Sequence, residues 1–223
     1  MKKQPNPIEL VIFDMDGTIF DTERLGIDCW IQAFEDMKIP VPKNVLVNKI
    51  GLNSKDSKKL MQEESGIDFD YDQIKALKRQ IIKDKIAKNG TPVKAGFYEL
   101  MQFLKEHKIK TALATSRSQE MTEYYLENAG KNFKSFFDYI VTGDMIKNGK
   151  PAPDIFLHAA QSLQILPENS LVIEDSINGI KAAHAGHIPV IMIPDMVEPT
   201  PEVIQMACGI RKNLNEVIDY IQS

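Results

Sequence analysis

The stretch Leu10-Val11-Ile12-Phe13-Asp14-Met15-Asp16-Gly17-Thr18 decides the fold. Four consecutive apolar residues read as a β-strand buried on both faces, the pattern of a parallel sheet. The run then breaks off in two acids and a glycine turn. In open α/β sheets the chemistry sits just beyond the carboxyl ends of the strands. Two carboxylates at such a place suit a bound cation, a nucleophile or proton transfer.

The same signature recurs downstream. Thr111-Ala112-Leu113-Ala114 runs into Thr115-Ser116, Tyr139-Ile140-Val141 reads as a short strand, and Ser170-Leu171-Val172-Ile173 ends in Glu174-Asp175. Val190-Ile191-Met192-Ile193 reads as a fifth strand. Helical periods separate these runs. Phe97, Leu100, Met101 and Leu104 fall on one helix face. Ser118 is a candidate N-cap for a helix to about Ala129, Ile155 to Leu163 has amphipathic spacing, and Gly186 stops a helix that follows Asp175. Alternating strands and helices predict an α/β fold, a doubly wound Rossmann-like parallel sheet with helices on both faces.

From Leu25 to Gly90 no strand pattern occurs. Trp30, Ala33, Phe34 and Met37 have helical spacing, and Trp30 reads as core rather than as a cofactor contact. Asn89-Gly90-Thr91-Pro92 is a turn signal and a boundary. The expected organisation is therefore a core of residues 1–24 and 92–223 with a helical cap, residues 25–91, inserted just after the first strand. That position places the cap above the strand ends and the acids.

The 223 residues are 43% hydrophobic and 26% charged, with a net charge of −4, ordinary for a globular chain. No basic stripe is present, which argues against nucleic acid as a partner. No run approaches a membrane span, and the apolar run near the start is too short for a signal peptide. These features predict a cytoplasmic protein with no membrane partner. Cys29 and Cys208 read as reduced thiols. No long exposed apolar stripe stands out, and a monomer is expected.

Four strand ends thus carry chemistry: Asp14 and Asp16, Thr115 and Ser116, Glu174 and Asp175, with Lys150 in the loop Asn148-Gly149-Lys150-Pro151 after the third strand. Carboxylates clustered without a His or Cys motif favour a hard cation, hence Mg²⁺. A lysine and a hydroxyl opposite that cation suit three phosphoryl oxygens. His107, His158, His184 and His187 lie away from the strand ends and receive no catalytic role.

At this point the chain resembles the haloacid dehalogenase superfamily of hydrolases, in its β-phosphoglucomutase-like branch with a helical cap. The matching stretches are Val11–Thr18, Ala114-Thr115-Ser116, Lys150-Pro151-Ala152-Pro153-Asp154 and Ile173-Glu174-Asp175-Ser176, with Asn178-Gly179-Ile180-Lys181-Ala182-Ala183 and the linker Pro92-Val93-Lys94-Ala95-Gly96. The resemblance covers about residues 8–195. It implies that Asp14 attacks phosphorus and becomes an aspartyl phosphate, and that Asp16 acts as acid and then base. It implies Mg²⁺ held by the Asp14 carboxylate, the Asp16 backbone carbonyl and Asp175, with Glu174 as a ligand or a support. Thr115, Ser116 and Lys150 would hold the phosphoryl group.

An Asp at position 16 points to phosphate esters, because true dehalogenases of the superfamily lack it and transport ATPases carry Thr there. The expected activity is Mg²⁺-dependent hydrolysis of a small phosphorylated metabolite, a sugar phosphate or nucleotide-like monophosphate. A phosphomutase of the β-phosphoglucomutase type is the alternative. Against it, no His follows Asp21-Thr22, and the cap stretch Ile50–Asp56 lacks Arg. A catalytically inactive sugar-phosphate-binding module is a third reading, disfavoured by the complete acid set. Glu23, Arg24, Asn53 and Ser54 are candidates for substrate contact.

Overall fold

The computed structural model describes residues 6–48 and 54–223. A six-stranded, all-parallel sheet is built from β1 (Leu10–Phe13), β2 (Lys110–Ala114), β3 (Tyr139–Val141), β4 (Ser170–Glu174), β5 (Val190–Met192) and β6 (Gly209–Ile210). The strand order is β3-β2-β1-β4-β5-β6. The chain winds outward from β1 through β2 to β3, then crosses to the other side of β1 and continues through β4. The strand order therefore reverses beside β1, the place where doubly wound sheets open a crevice for ligands.

Side chains alternate cleanly across the sheet. Val11, Phe13, Leu171 and Ile173 belong to one buried cluster, with residues of α5 (Phe97–Glu106), α6 (Gln119–Asn128) and α10 (Asn215–Gln222). Leu10, Ile12, Val172 and Ala112 belong to the other, with α7 (Asp154–Ser162), α8 (Ile177–Ala185) and α9 (Pro201–Met206). Every residue of β1 and β4 is buried, which is why these strands read as continuous apolar runs rather than as alternation.

Between β1 and α5 run four helices, α1 (Thr22–Asp36), α2 (Lys43–Asn48), α3 (Ser54–Glu64) and α4 (Tyr71–Asn89). They share a third cluster around Trp30, Phe34, Leu46, Met61, Tyr71 and Ile74. Trp30 is buried against Phe34 and Tyr71, so the indole is core, as its spacing predicts. Cys29, Ile82 and Ile86 join α1 and α4 to the sheet-side cluster. The chain returns through Gly90, whose φ of 78° ends α4, and Val93 bridges Phe20.

Several elements were not foreseen. β6 has two residues, too few for any period to register. α9 begins at Pro201, with the Thr200 hydroxyl accepting from Val203 N at 3.3 Å, a capping signature that the sequence does carry. α10 buries Val217 and Tyr220. Ser118 does occupy the N-cap position of α6, but its side chain makes no capping bond. The Asp144 carboxylate, reaching across from the loop after β3, accepts from Gln119 N at 3.0 and 3.2 Å instead. A carboxylate there adds a favourable charge at a helix N-terminus.

α8 starts hard against the end of β4. A Cβ on Gly179 would stand 1.7 Å from Glu174 Oε1. Gly179→Ala is therefore expected to lower stability by about 1–3 kcal/mol, the usual range for overpacking. Urea denaturation at constant pH measures it.

Candidate active site

Strand register brings the acids together. Phe13 pairs with Leu113 on one side and Ile173 on the other, so Asp14 emerges level with Ala114 and Glu174. Asp14 N donates to Ile173 O at 3.0 Å, which continues the ladder one residue past the strand and fixes the direction of the carboxylate.

Lys150 ties the first acid to the fourth strand. Its ammonium, with a side chain only 4% exposed, donates to Asp14 Oδ1 and, at 2.7 Å, to Glu174 Oε1. Ser176 N donates to the other Glu174 oxygen at 2.6 Å. Both oxygens of Glu174 are thus occupied by the chain itself. Asp175 is held differently: Thr18 Oγ1 donates to its Oδ1 at 3.1 Å, and its Oδ2 lies against Gly17. That glycine has a φ of 79°, and a Cβ there would approach the oxygen to 2.2 Å. Only glycine fits on both counts.

Three buried carboxylates, Asp14, Glu174 and Asp175, lie together, and the buried ammonium of Lys150 pairs with the first two. Burial pushes Asp14 up to about 8, helped by repulsion from Glu174 and Asp16, against the pull of Lys150. Burial together with the charges of Glu174 and Asp14 raises Asp175 well above the carboxylate range. The attraction of Asp14 and Glu174 raises Lys150 despite its burial.

Asp16 has a different environment. Arg117 binds it in a fork, Nε to Oδ2 and Nη2 to Oδ1, both at 2.6 Å. Thr22 Oγ1 donates to Oδ1 at 2.5 Å, and the guanidinium lies 4.6 Å from the centre of the Tyr125 ring. Burial alone would raise Asp16, but the charge and hydrogen bonds of Arg117 and the Thr22 hydroxyl lower it on balance.

The loop after β2 forms the adjoining wall. Thr115 is buried, and its hydroxyl accepts from Arg117 N at 3.2 Å, while Ser116 is exposed. Gly143 N donates to Arg117 O at 2.7 Å, and a Cβ on Gly143 would meet Ser116 O at 2.4 Å. A glycine at that position lets the loop after β3 brace the loop after β2.

These groups border a cavity of about 260 Å³, whose floor includes Asp14, Asp16, Lys150, Glu174 and Asp175. Thr115 and Ser116 line its side, and Trp30, Tyr71, Lys75, Lys78 and Arg79 line it from α1 and α4. All seven core residues singled out in the sequence meet here. Of the residues considered for substrate contact, Glu23 lines the cavity, whereas Arg24 is exposed and absent from the lining. Asn53 lies outside the described residues, as does the side chain of Ser54. None of the four histidines borders the cavity.

Sequence reading missed Arg117, Thr22, Gly143 and the α4 cations. Arg117 directly follows the quoted Thr115-Ser116, and only its pairing with a residue 101 positions away gives it significance. The i, i+3 and i+4 spacing of Lys75, Lys78 and Arg79 did show that they share a helix face.

The model of the haloacid dehalogenase-like hydrolases matches residues 11–193. The chain belongs to that family. This hydrolase is 32% identical over 183 residues to the phosphorylated carbohydrates phosphatase of Thermotoga maritima, covering 81% of this chain and 82% of that one. It is also 32% identical over 189 residues to the probable pseudouridine-5'-phosphatase of Drosophila melanogaster, covering 82% and 80%. CbbY from Rhodobacter sphaeroides, solved in complex with phosphate, shares the fold with a TM-score of 0.81 at 23% identity, over 97% of this chain and 100% of that one. No helix among the described residues is long and apolar enough to cross a membrane.

The raised acids make a stability prediction for the hydrolase in chelator. A carboxyl whose folded value exceeds its unfolded value of 3.8 binds its proton more tightly in the native state. Stability then falls as pH rises from about 4 towards 8. Asp175→Asn removes one charge and keeps an oxygen for Thr18. It is expected to raise Tm by about 2–4 °C at pH 8, the shift for about 1 kcal/mol in a chain of this size, and by much less at pH 5. Thermal melts at the two pH values check it.

Proposed function

We propose that this hydrolase is a Mg²⁺-dependent phosphatase of small phosphorylated metabolites that works through an aspartyl phosphate on Asp14. The observation that carries this reading is the placement of Asp14 at the switch point, tied to Lys150, with Asp16 two residues on and the Thr115–Ser116 wall opposite. The kinship with phosphatases of small phosphorylated compounds supports it.

The donor set suits Mg²⁺. Among the described residues no three acidic, His or Cys side chains form a ligand group, but Mg²⁺ typically takes one or two carboxylates and completes its shell with water and phosphate oxygens. The surplus of buried negative charge calls for a cation. Asp14, Asp175 and the Asp16 backbone carbonyl would hold it, with Glu174 supporting the site through Lys150. When bound, Mg²⁺ neutralises the acids and polarises the phosphoryl group.

The chain's own groups then divide the work. Lys150 engages Asp14 Oδ1, which leaves Oδ2 to attack phosphorus in line. The new bond is Asp14 O–P, and the bond broken is that between phosphorus and the ester oxygen. Asp16, which takes up a proton from solvent once Arg117 has let go of it, gives that proton to the departing oxygen, then takes one from the water that attacks the phosphoryl group and releases phosphate. Lys150 and the Thr115 and Ser116 hydroxyls hold the phosphoryl oxygens, so positioning and charge supply most of the rate. The four helices α1–α4 serve as a cap that limits water and sets specificity.

The mutase alternative differs in the fate of the phosphoryl group. With β-glucose 1-phosphate, free phosphate without glucose 6-phosphate supports the phosphatase, whereas glucose 6-phosphate formation supports the mutase.

Asp14→Asn is expected to abolish phosphate release from an aryl phosphate, and Asp16→Asn to slow it by about 10²–10⁴-fold, the range of acid–base assistance. Near-full turnover by the Asp14 variant contradicts the mechanism. Independently of activity, Mg²⁺ is expected to raise Tm more at pH 8 than at pH 5, because protons on Asp14 and Asp175 compete with it. Asp175→Asn should lose most of that gain, as read by differential scanning fluorimetry.

A further inference from the structure

The ion pair between Arg117 and Asp16 stands in the way of the reaction just described. Asp16 must reach the ester oxygen, yet both of its carboxylate oxygens are occupied, by Arg117 Nε and Nη2 at 2.6 Å and by Thr22 at 2.5 Å. One partner has to move. The backbone of Arg117 is braced, with its N–H on the Thr115 hydroxyl at 3.2 Å and its carbonyl accepting from Gly143 at 2.7 Å. Its side chain is 22% exposed and borders the cavity. The guanidinium is the movable part.

Pulling the guanidinium away without a replacement leaves two partly buried charges unpaired, which is costly. A substrate that carries its own carboxylate avoids that cost. The Arg117 fork already holds a carboxylate through two parallel bonds, the geometry that a guanidinium recognises best. A substrate carboxylate can take the place of Asp16 like for like, and Asp16 keeps its bond from Thr22. The replacement has to sit close to the ester oxygen, because Arg117 contacts the very group assigned to that oxygen. A cavity of about 260 Å³ also lies below the usual range for drug-sized ligands, which favours a compact substrate.

We infer that Arg117 is a specificity-determining residue: it binds a carboxylate about one or two carbons from the ester oxygen, in exchange for Asp16, so that phosphorylated hydroxycarboxylic acids are preferred. The inference rests on the phosphatase reading for its chemistry. Lys78, which borders the same cavity and acts on Asp16 through its charge, adds positive potential on that side. An ester with a neutral end offers Arg117 nothing and must break the ion pair uncompensated.

The test compares 2-phosphoglycolate with 2-hydroxyethyl phosphate, which replaces the carboxylate by a hydroxymethyl group. With Mg²⁺, the unmodified protein is expected to favour phosphoglycolate in kcat/KM by about tenfold or more, since a site that loses a designed polar partner discriminates strongly. Arg117→Gln should bring the ratio close to one, and Arg117→Lys should leave it in between. No preference in the unmodified protein, or an unchanged ratio in both variants, overturns the assignment. Calorimetry on the Asp14→Asn protein reads the same recognition without turnover. It should bind phosphoglycolate more tightly than the hydroxyethyl ester, and adding Arg117→Gln should erase the difference. Failure to release phosphate from either ester or from an aryl phosphate defeats the phosphatase reading. Equal binding of the two esters defeats the role of Arg117.

Discussion

One buried lysine organises the site. Lys150 stands between Asp14 and Glu174, two of the three acids at the ends of β1 and β4, while the third, Asp175, accepts from the Thr18 hydroxyl. A single ammonium cannot neutralise three carboxylates, and a buried unpaired charge is expensive. The strain shows as raised proton affinity at Asp14 and Asp175. Asp16, by contrast, has Arg117 to itself. Two aspartates only two residues apart therefore sit in opposite electrostatic settings, the condition under which two carboxyl groups in one site can take different roles.

Such a concentration of charge needs close backbone approach. Gly17 lets the turn after β1 lie against Asp175, Gly179 lets α8 start on Glu174, and Gly143 lets two loops brace each other. None of these positions tolerates a Cβ without moving a charged group or a carbonyl. The sheet supplies the rest. Asp14, Thr115 and Glu174–Asp175 are neighbours because β1 is flanked by β2 and β4, in a register that the two buried faces fix.

Most of this was legible in the chain. Continuous apolar runs ending in polar residues gave five strands and their chemistry, because strands buried on both faces leave an unmistakable pattern. Asp14, Asp16, Thr115, Ser116, Lys150, Glu174 and Asp175 all face one cavity because each ends or follows a strand of one parallel sheet. What stayed hidden depends on distance rather than pattern. Arg117 matters through a partner 101 residues away. Asp144 takes over the capping of α6 from Ser118 through the fold, and a two-residue strand such as β6 has no period to read. Glu23 and Arg24 both stand near the exit into the inserted helical segment, but α1 turns Arg24 outward.

The central claim is that Asp14 takes the phosphoryl group before water does. The stereochemical course at phosphorus tests it most directly, with a monoester made chiral by oxygen isotopes and hydrolysed in isotopic water. Two successive in-line displacements, first by Asp14 and then by water, predict net retention of configuration. Inversion would mean a single direct attack by water and would contradict the account.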